Sequence, residues 1–247
     1  MDVVRAIEDN AAGLLMAMGA AGGGSQRDDE RATWTIGGSP IDYHNAIVRA
    51  TDVTVVAESL AELKKHGVPG TWHVGPSMPV RGPDLTAAGF VAAGAEPGMA
   101  ARIADLQVPQ PVPGLSLTRI GNDKDLAAWE ATLGQGFGEG PREARWVASV
   151  YQQLGYGDPW QHYIGWLEGT PVATATVFLG AGVAGLYFVM TVPEVRRRGV
   201  GAAITYAALQ HADVEYAVLG SSAAGQPVYE GLGFREHCQI EIYEWAG

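Results

Sequence analysis

Cysteine, metal-ligand patterns and long apolar runs are all scarce in this sequence. Cys238 is the single cysteine among 247 residues, which excludes a disulfide framework within the chain and a cysteine-rich zinc site. The six histidines show no HExxH or comparable metal spacing. The apolar run at 11–21 is too short to cross a bilayer and lacks the charged segment that opens a signal peptide. We therefore expect a soluble, cytoplasmic protein that uses neither a metal nor a membrane.

Positive charge is also scarce. The chain has 16 Lys and Arg against 27 Asp and Glu, a formal net charge of -11. This balance disfavours nucleic-acid binding, because phosphate backbones require a surplus of cations. The one local exception is the run Arg196-Arg197-Arg198. Hydrophobic residues make up 47% of the chain, which is enough to build a buried core.

The first 107 residues predict a small α/β lobe. Helices are expected at 1–20, 55–66 and 83–88, and Gly67 should end the second of them. Strands are expected at 32–37, 43–50 and 70–75, and a returning strand or a hairpin at 90–103. The Gly- and Asp-rich segment 21–31 predicts a solvated loop. Its three glycines are not followed by the Gly-Lys pair of a phosphate-binding loop, which makes a phosphate role a poor explanation for them.

Three prolines in the seven residues 108–114 exclude a helix there and predict a linker between this lobe and a C-terminal domain at 115–247. The C-terminal domain has a clear rhythm of β-α-α-β-β-β-α-β-α-β, in which the first helix is expected at 123–133. The near-continuous apolar run 183–192 is typical of a central strand that is buried on both faces. This order predicts an α/β (α+β) domain with a mixed sheet, and it is not the strict alternation of a doubly wound fold.

The stretch 189–203, VMTVPEVRRRGVGAA, carries the clearest chemical signal. A buried strand ends near Pro193, three arginines follow, and Gly199-Val200-Gly201 opens a helix. Glycine lets a phosphate approach the backbone, and a helix N-terminus offers unpaired N–H groups with partial positive charge. Arginines add charge and forked donors. Pro193 should end strand pairing and splay the sheet. These features predict a pyrophosphate site beside an open cleft.

Two motifs connect this chemistry to a known family. Arg196-x-x-Gly199-x-Gly201 after a strand resembles the (Q/R)xxGx(G/A) signature of the GCN5-related N-acetyltransferases (GNAT), and Tyr229-Glu230-Gly231-Leu232-Gly233-Phe234 resembles their YxxLGF motif. The element order from 115 to 245 is similar to the GNAT fold as well. The resemblance implies a mixed, splayed central sheet, and acetyl-CoA or another acyl-CoA as the acyl donor, with no metal.

The resemblance also implies roles for single residues. Tyr229 is the expected general acid that protonates the departing thiolate, since a phenol keeps its proton at neutral pH. The strand backbone is expected to bind the pantetheine arm, and the loop amides and arginines the pyrophosphate. Ser221 or Ser222 is expected near the cofactor arm or the acceptor. The expected cofactor-binding residues are Val189, Met190, Thr191, Val192, Arg196, Arg197, Arg198, Gly199, Val200, Gly201, Ala202 and Ser222.

The sequence does not identify a catalytic base. Many relatives use a glutamate on the strand before the arginines, but residues 185–190 here contain no carboxylate. The possible substitutes are Glu139, Glu143, His162 and Tyr187, but residues of these types in such positions are more often structural or on the surface than catalytic. The amine can also arrive neutral, or lose its proton through water.

The N-terminal lobe repeats part of the same rhythm, and Ala87-Ala88-Gly89-Phe90 is similar to Gly231-Leu232-Gly233-Phe234. It resembles the degenerate half of a tandem GNAT protein that has lost its phosphate loop. An unrelated α/β cap is the alternative. We expect a monomeric or homodimeric N-acyltransferase for a small amine. The alternative is a non-catalytic acyl-CoA-binding or sensing protein.

Overall fold

The computed structural model describes all 247 residues, which divide into two compact units. The N-terminal unit comprises Met1–Gly98 together with Glu236–Gly247, and the C-terminal unit comprises Met99–Arg235. None of the helices combines the length and apolar character needed to cross a lipid bilayer. No group of three or more His, Cys, Asp and Glu side chains could hold a metal ion.

Seven helices and eleven strands make up the chain. The helices are α1 (Val3–Ala21), α2 (Thr54–His66), α3 (Gly82–Ala87), α4 (Asp123–Leu133), α5 (Pro141–Leu154), α6 (Val200–Leu209) and α7 (Gln226–Gly231). The strands are β1 (Ser25–Asp28), β2 (Ala32–Ile36), β3 (Ala46–Ala50), β4 (Gly70–Val74), β5 (Val91–Arg102), β6 (Leu115–Arg119), β7 (Trp160–Leu167), β8 (Thr170–Gly180), β9 (Val183–Thr191), β10 (Tyr216–Gly220) and β11 (Arg235–Trp245).

The N-terminal unit is built on the strand order β1-β2-β3-β4-β11-β5, with β3 and β4 parallel. Alternation along β4 sends Trp72 into the apolar core, where its indole N–H donates to Ser59 of α2. His73 points to the other face, where its Nε2 lies 3.0 Å from the Thr71 hydroxyl. Gly67 ends α2 in the left-handed region at φ 62°, as predicted.

Two predictions for this unit need correction. The segment 21–31 is not wholly a loop, because residues 25–28 form β1 and pair antiparallel with β2. A short edge strand of polar residues has no apolar alternation by which a sequence could reveal it. The strand predicted at 43–50 begins at Ala46, after a 3-10 turn over Asp42–His44.

The C-terminal unit has the strand order β5-β10-β9-β8-β7-β6. Strands β6 to β9 form an antiparallel ladder, whereas β9 and β10 are parallel, so the sheet is mixed, as predicted. The helix α4 has the predicted bounds, and its N-cap Asn122 accepts a hydrogen bond from the Asp125 N–H.

The predicted similarity between the two halves has a geometric counterpart in the ends of α3 and α7. Phe90 N–H donates to the Leu85 carbonyl at 3.1 Å, and Phe234 N–H donates to the Tyr229 carbonyl at 3.0 Å. The preceding glycines, 89 and 233, have φ values of 95° and 99°. Both phenylalanines are buried. Leu85 is therefore the residue of the N-terminal unit that is equivalent to Tyr229 of the C-terminal unit.

The two compact units divide the chain differently from the predicted linker. Residues 108–114 lie inside the C-terminal unit, and β11 belongs almost entirely to the N-terminal unit. The reason is the pairing of β11, whose residues Glu241–Trp245 run antiparallel to Gly70–Val74 of β4. Sequence order alone gives no indication of this pairing.

Candidate active site

The parallel strands β9 and β10 pair over a very short length. Ala184 aligns with Ala217 and Gly185 with Val218, and beyond Gly185 the strand β9 has no aligned residue on β10. The splay predicted for the sheet is therefore present, but its cause is not Pro193. The pairing ends eight residues before that proline, so the divergence of the strands themselves opens the edge of β9.

A β-bulge lies in the part of β9 that pairs with β8 but has no partner on β10. The register with β8 shifts between the pairs Tyr187–Thr176 and Met190–Thr174, so that Phe188 and Val189 together oppose one residue. Phe188 has φ 50°, a left-handed conformation that is costly for a bulky side chain. The Thr174 hydroxyl donates to the Phe188 carbonyl at 2.8 Å and holds the bulge. The uniform apolar run of the sequence contains no signal for this feature.

The backbone N–H groups of Val189–Val192, which are predicted to bind pantetheine, do not all face the same side of β9. Val192 N–H donates to Val172 of β8 at 2.9 Å, so the sheet itself uses that donor. Because strand backbone groups alternate in direction, the Thr191 N–H faces the edge opposite β8. The Thr191 carbonyl accepts a hydrogen bond from Arg196. Thr191 thus lies between the open edge of β9 and the arginines at 196–198.

Residues 196–202, which we call the phosphate loop, carry a row of unpaired backbone donors. The N–H groups of residues 197 through 202 have no acceptor within the protein, and α6 begins at Val200. Arg197 and Gly199 both have positive φ, at 62° and 82°, which curls the loop ahead of the helix. Residues 196–199 are exposed. Consecutive free amides at a helix N-terminus fit an anion such as a pyrophosphate.

The three arginines of the phosphate loop are not equivalent. The Arg196 Nε donates to the Thr191 carbonyl at 2.9 Å, and its Nη2 lies 3.4 Å from the Gly136 carbonyl. Arg197 and Arg198 make no such bonds and extend into solvent. Two of the three predicted cations are therefore available to an external anion.

Tyr229 lies on α7, close to the loop that follows β10. A Cβ added at Gly225 would lie 3.0 Å from the Tyr229 ring and 3.3 Å from each of the Ser221 and Ser222 hydroxyls, so these groups share one small space. The Tyr229 hydroxyl makes no hydrogen bond within the protein, and burial raises the pKa of this phenol above its usual value. The Ser222 hydroxyl accepts the Gly225 N–H, and the Ser221 hydroxyl donates to the Ser222 carbonyl.

The four candidate bases have different surroundings. Glu143 is buried at the start of α5 and accepts the Glu139 N–H at 2.9 Å, which ties the preceding loop to this helix. Glu139 pairs with Arg142 at 2.7 Å. His162 is fully buried beside Thr176, and burial lowers its pKa to about 3, so it is neutral at physiological pH. Tyr187 is half-buried on β9, next to the bulge.

One known family model matches this region of the chain. Residues 122–217 match the family model of the acetyltransferase (GNAT) domain. This segment of the chain is therefore similar to a GNAT domain. The match includes the bulged strand β9 and the phosphate loop, and it ends before Tyr229. This match confirms the resemblance predicted from residues 196–201, and it does not include residues 229–234.

Solved structures extend the likeness beyond the GNAT domain. A GCN5-related N-acetyltransferase from Kribbella flavida superposes with a TM-score of 0.73 at 20% identity, covering 96% of each chain. A functionally unknown conserved protein from Staphylococcus epidermidis gives 0.71 at 11% identity, covering 91% of this chain and 94% of its own. A tandem GNAT protein from the clavulanic acid biosynthesis pathway gives 0.58 at 16% identity, covering 85% and 76%. No curated protein matches the sequence. At these identities the solved structures establish the fold, which is the predicted splayed GNAT sheet preceded by a second lobe.

Proposed function

We propose that the protein is an acyl-CoA-dependent N-acyltransferase that moves an acetyl group from acetyl-CoA directly to a small amine. The observation that supports this most strongly is the run of free amides at 197–202 beside the unpaired edge of β9. In this proposal the amides, Arg197 and Arg198 bind the pyrophosphate, because they are the donors that the protein leaves unused. The backbone of Val189, Met190 and Thr191 lies beside the pantetheine arm.

The transfer forms a bond between the amine nitrogen and the acyl carbon and breaks the bond between that carbon and sulfur. The amine loses a proton and the departing thiolate gains one. Tyr229 is the proposed donor to the thiolate, since its phenol remains protonated and its hydroxyl is unpaired within the protein. Neither Glu139 nor Glu143 is free for the opposite step, because each has a structural partner. We therefore propose that the amine proton leaves to water.

A non-catalytic acyl-CoA-binding protein is the second candidate. It is favoured by the absence of any carboxylate on β9 and by the burial of His162, which lowers the pKa of this imidazole to about 3 and makes it a weak base. The acidic composition of the chain favours a cationic acceptor and disfavours nucleic acid, and we propose a cytoplasmic monomer or homodimer. The N-terminal unit is proposed to be a degenerate half that lacks both a phosphate loop and the tyrosine of α7.

Two measurements test these proposals. Calorimetry with acetyl-CoA should show binding, and ligand at about 100 times its Kd should stabilise the fold by about 2.7 kcal/mol. An absence of binding would contradict both candidates. A thiol-release screen of acetyl-CoA with a panel of amines then separates them. Release of free thiol in the presence of at least one amine supports the transferase. Binding of acetyl-CoA with no thiol release in the presence of any amine supports the sensing protein.

A further inference from the structure

A glycine-rich segment connects α4 to α5 beside the phosphate loop. Residues 134–140 read Gly-Gln-Gly-Phe-Gly-Glu-Gly, and we call them the glycine loop. Gly138 and Gly140 have positive φ, at 46° and 68°, and local hydrogen bonds such as Gly140 N–H to the Phe137 carbonyl shape the turns. A segment with this much glycine has little intrinsic stiffness, so its position depends on its few external contacts.

One external contact of the glycine loop is an aromatic one. The ring of Phe137 lies 5.3 Å from the ring of Phe188, with the two planes inclined at 50°. Phe188 is the residue that carries the positive φ at the bulge of β9. Phe137 is half-buried and Phe188 is buried, so Phe137 covers the bulge from the outside.

Arg196 is a second partner of the glycine loop, in addition to its contacts with α5. Its guanidinium reaches the Thr191 carbonyl at the end of β9 and the Gly136 carbonyl of the glycine loop at the same time. A Cβ at position 136 would lie 2.6 Å from the Arg196 Nη2 and 3.8 Å from the Met190 sulfur, so the close approach requires glycine there. The planar guanidinium of arginine has several separate N–H donors and can bind two carbonyls in this way. The ammonium group of lysine is a compact point charge and lacks this geometry.

We propose that Arg196 is a positioning residue that fixes the glycine loop, and with it Phe137, against the end of β9, and that it is not a ligand of the cofactor phosphate. This inference rests on the proposed function in one respect, which is that a cofactor phosphate binds beside residues 197–202. Arg197 and Arg198 have no comparable partners and remain for the anion. Arg196 thereby connects the end of β9, at Thr191, to the glycine loop, whose Phe137 packs on the bulge.

Hydrogen exchange measured by mass spectrometry on the full chain tests this inference. In Arg196→Met, amides of residues 134–140 should exchange about three- to tenfold faster, which is the effect of losing one net hydrogen bond, while other segments are unchanged. Arg198→Met is the matched control, since it removes the same charge and leaves the glycine loop intact. Gly136→Ala should reproduce the faster exchange without any change of charge. Gly157→Ala, where an added Cβ meets nothing within 4 Å, should leave the exchange of the glycine loop unchanged.

Calorimetry with acetyl-CoA on the same variants provides the second measurement. Arg198→Met should weaken acetyl-CoA binding more than Arg196→Met does. Unchanged exchange of the glycine loop in Arg196→Met, or a loss of acetyl-CoA affinity at least as large as in Arg198→Met, would overturn the proposal. A wild-type protein that fails to bind acetyl-CoA would instead contradict the proposed function, and the exchange result would still decide whether Arg196 positions the loop.

Discussion

Tyr229 is the single side chain on which the proposed acid step depends. Tyr229→Phe removes the hydroxyl and keeps the ring that packs 5.8 Å from Phe234, so the fold should be unaffected. With the best amine from the screen, kcat should fall about 100-fold, which is typical of losing a general acid. The Kd for acetyl-CoA should change little. Tyr206→Phe, on α6, is the control. Equal rates for Tyr229→Phe and wild type would remove Tyr229 as the acid.

Gly19 and Gly231 offer a contrast between a filled and an open site. A Cβ at Gly19 would lie 1.7 Å from the Thr35 hydroxyl oxygen, whereas a Cβ at Gly231 meets nothing within 4 Å. Gly19→Ala should destabilise the protein by about 1–3 kcal/mol because α1 must move off β2. Gly231→Ala should be neutral or stabilising by up to about 1 kcal/mol. Urea midpoints measure both effects, and equal midpoints would contradict the close packing of α1.

Among the secondary-structure elements, β11 has the most unexpected role. It completes the N-terminal unit by pairing with β4, and its Ile242 is buried there. Deleting residues 236–247 should expose the edge of β4 and reduce hydrogen-exchange protection of those amides of residues 70–74 that bond to β11, whereas the Thr71 N–H, which donates to the Asn45 carbonyl, should stay protected. Deleting only residues 246–247, which follow the strand, should leave all of this protection intact. Unchanged protection of β4 after the longer deletion would show that β11 is dispensable.

The molecule as a whole should lose stability in mild acid because of two buried histidines. Burial lowers the pKa of His73 to about 4 and that of His162 to about 3, whereas unfolded histidine titrates near 6.5. The unfolded chain therefore binds protons first, and stability present above about pH 6.5 declines as the pH falls. Each histidine contributes a loss of about 2 kcal/mol by about pH 5. Glu96, whose pKa is raised by burial, acts in the opposite direction.

Unfolding midpoints between about pH 7 and pH 5 measure this loss. His162→Gln should be less stable than wild type at pH 7 but should show a flatter pH profile. His237→Gln, at an exposed position on β11, should leave the profile unchanged. A wild-type midpoint that does not change over this range would contradict the neutral, buried state of both histidines.

Local signals in the sequence were sufficient for most elements. Helix α4 has the predicted bounds because Asn122 is a strong N-cap and an apolar stripe follows it. The left-handed Gly67 ends its helix where expected, because few other residues adopt that conformation cheaply. The edge strand β1 and the bulge at Phe188 escaped prediction, because both depend on a neighbouring strand and neither has a periodicity of its own.

The sequence by itself determined the order of elements, the GNAT motifs and the loop of free amides that can bind an anion, since glycine spacing and helix starts are local properties. Only the tertiary structure decided that β11 completes the N-terminal unit, that β9 separates from β10 well before Pro193, and that Arg196 binds two carbonyls of the protein itself. The physical reason is the same in each case. Strand pairing and arginine hydrogen bonds join groups that are distant in the chain, and their partners are fixed by the packed fold.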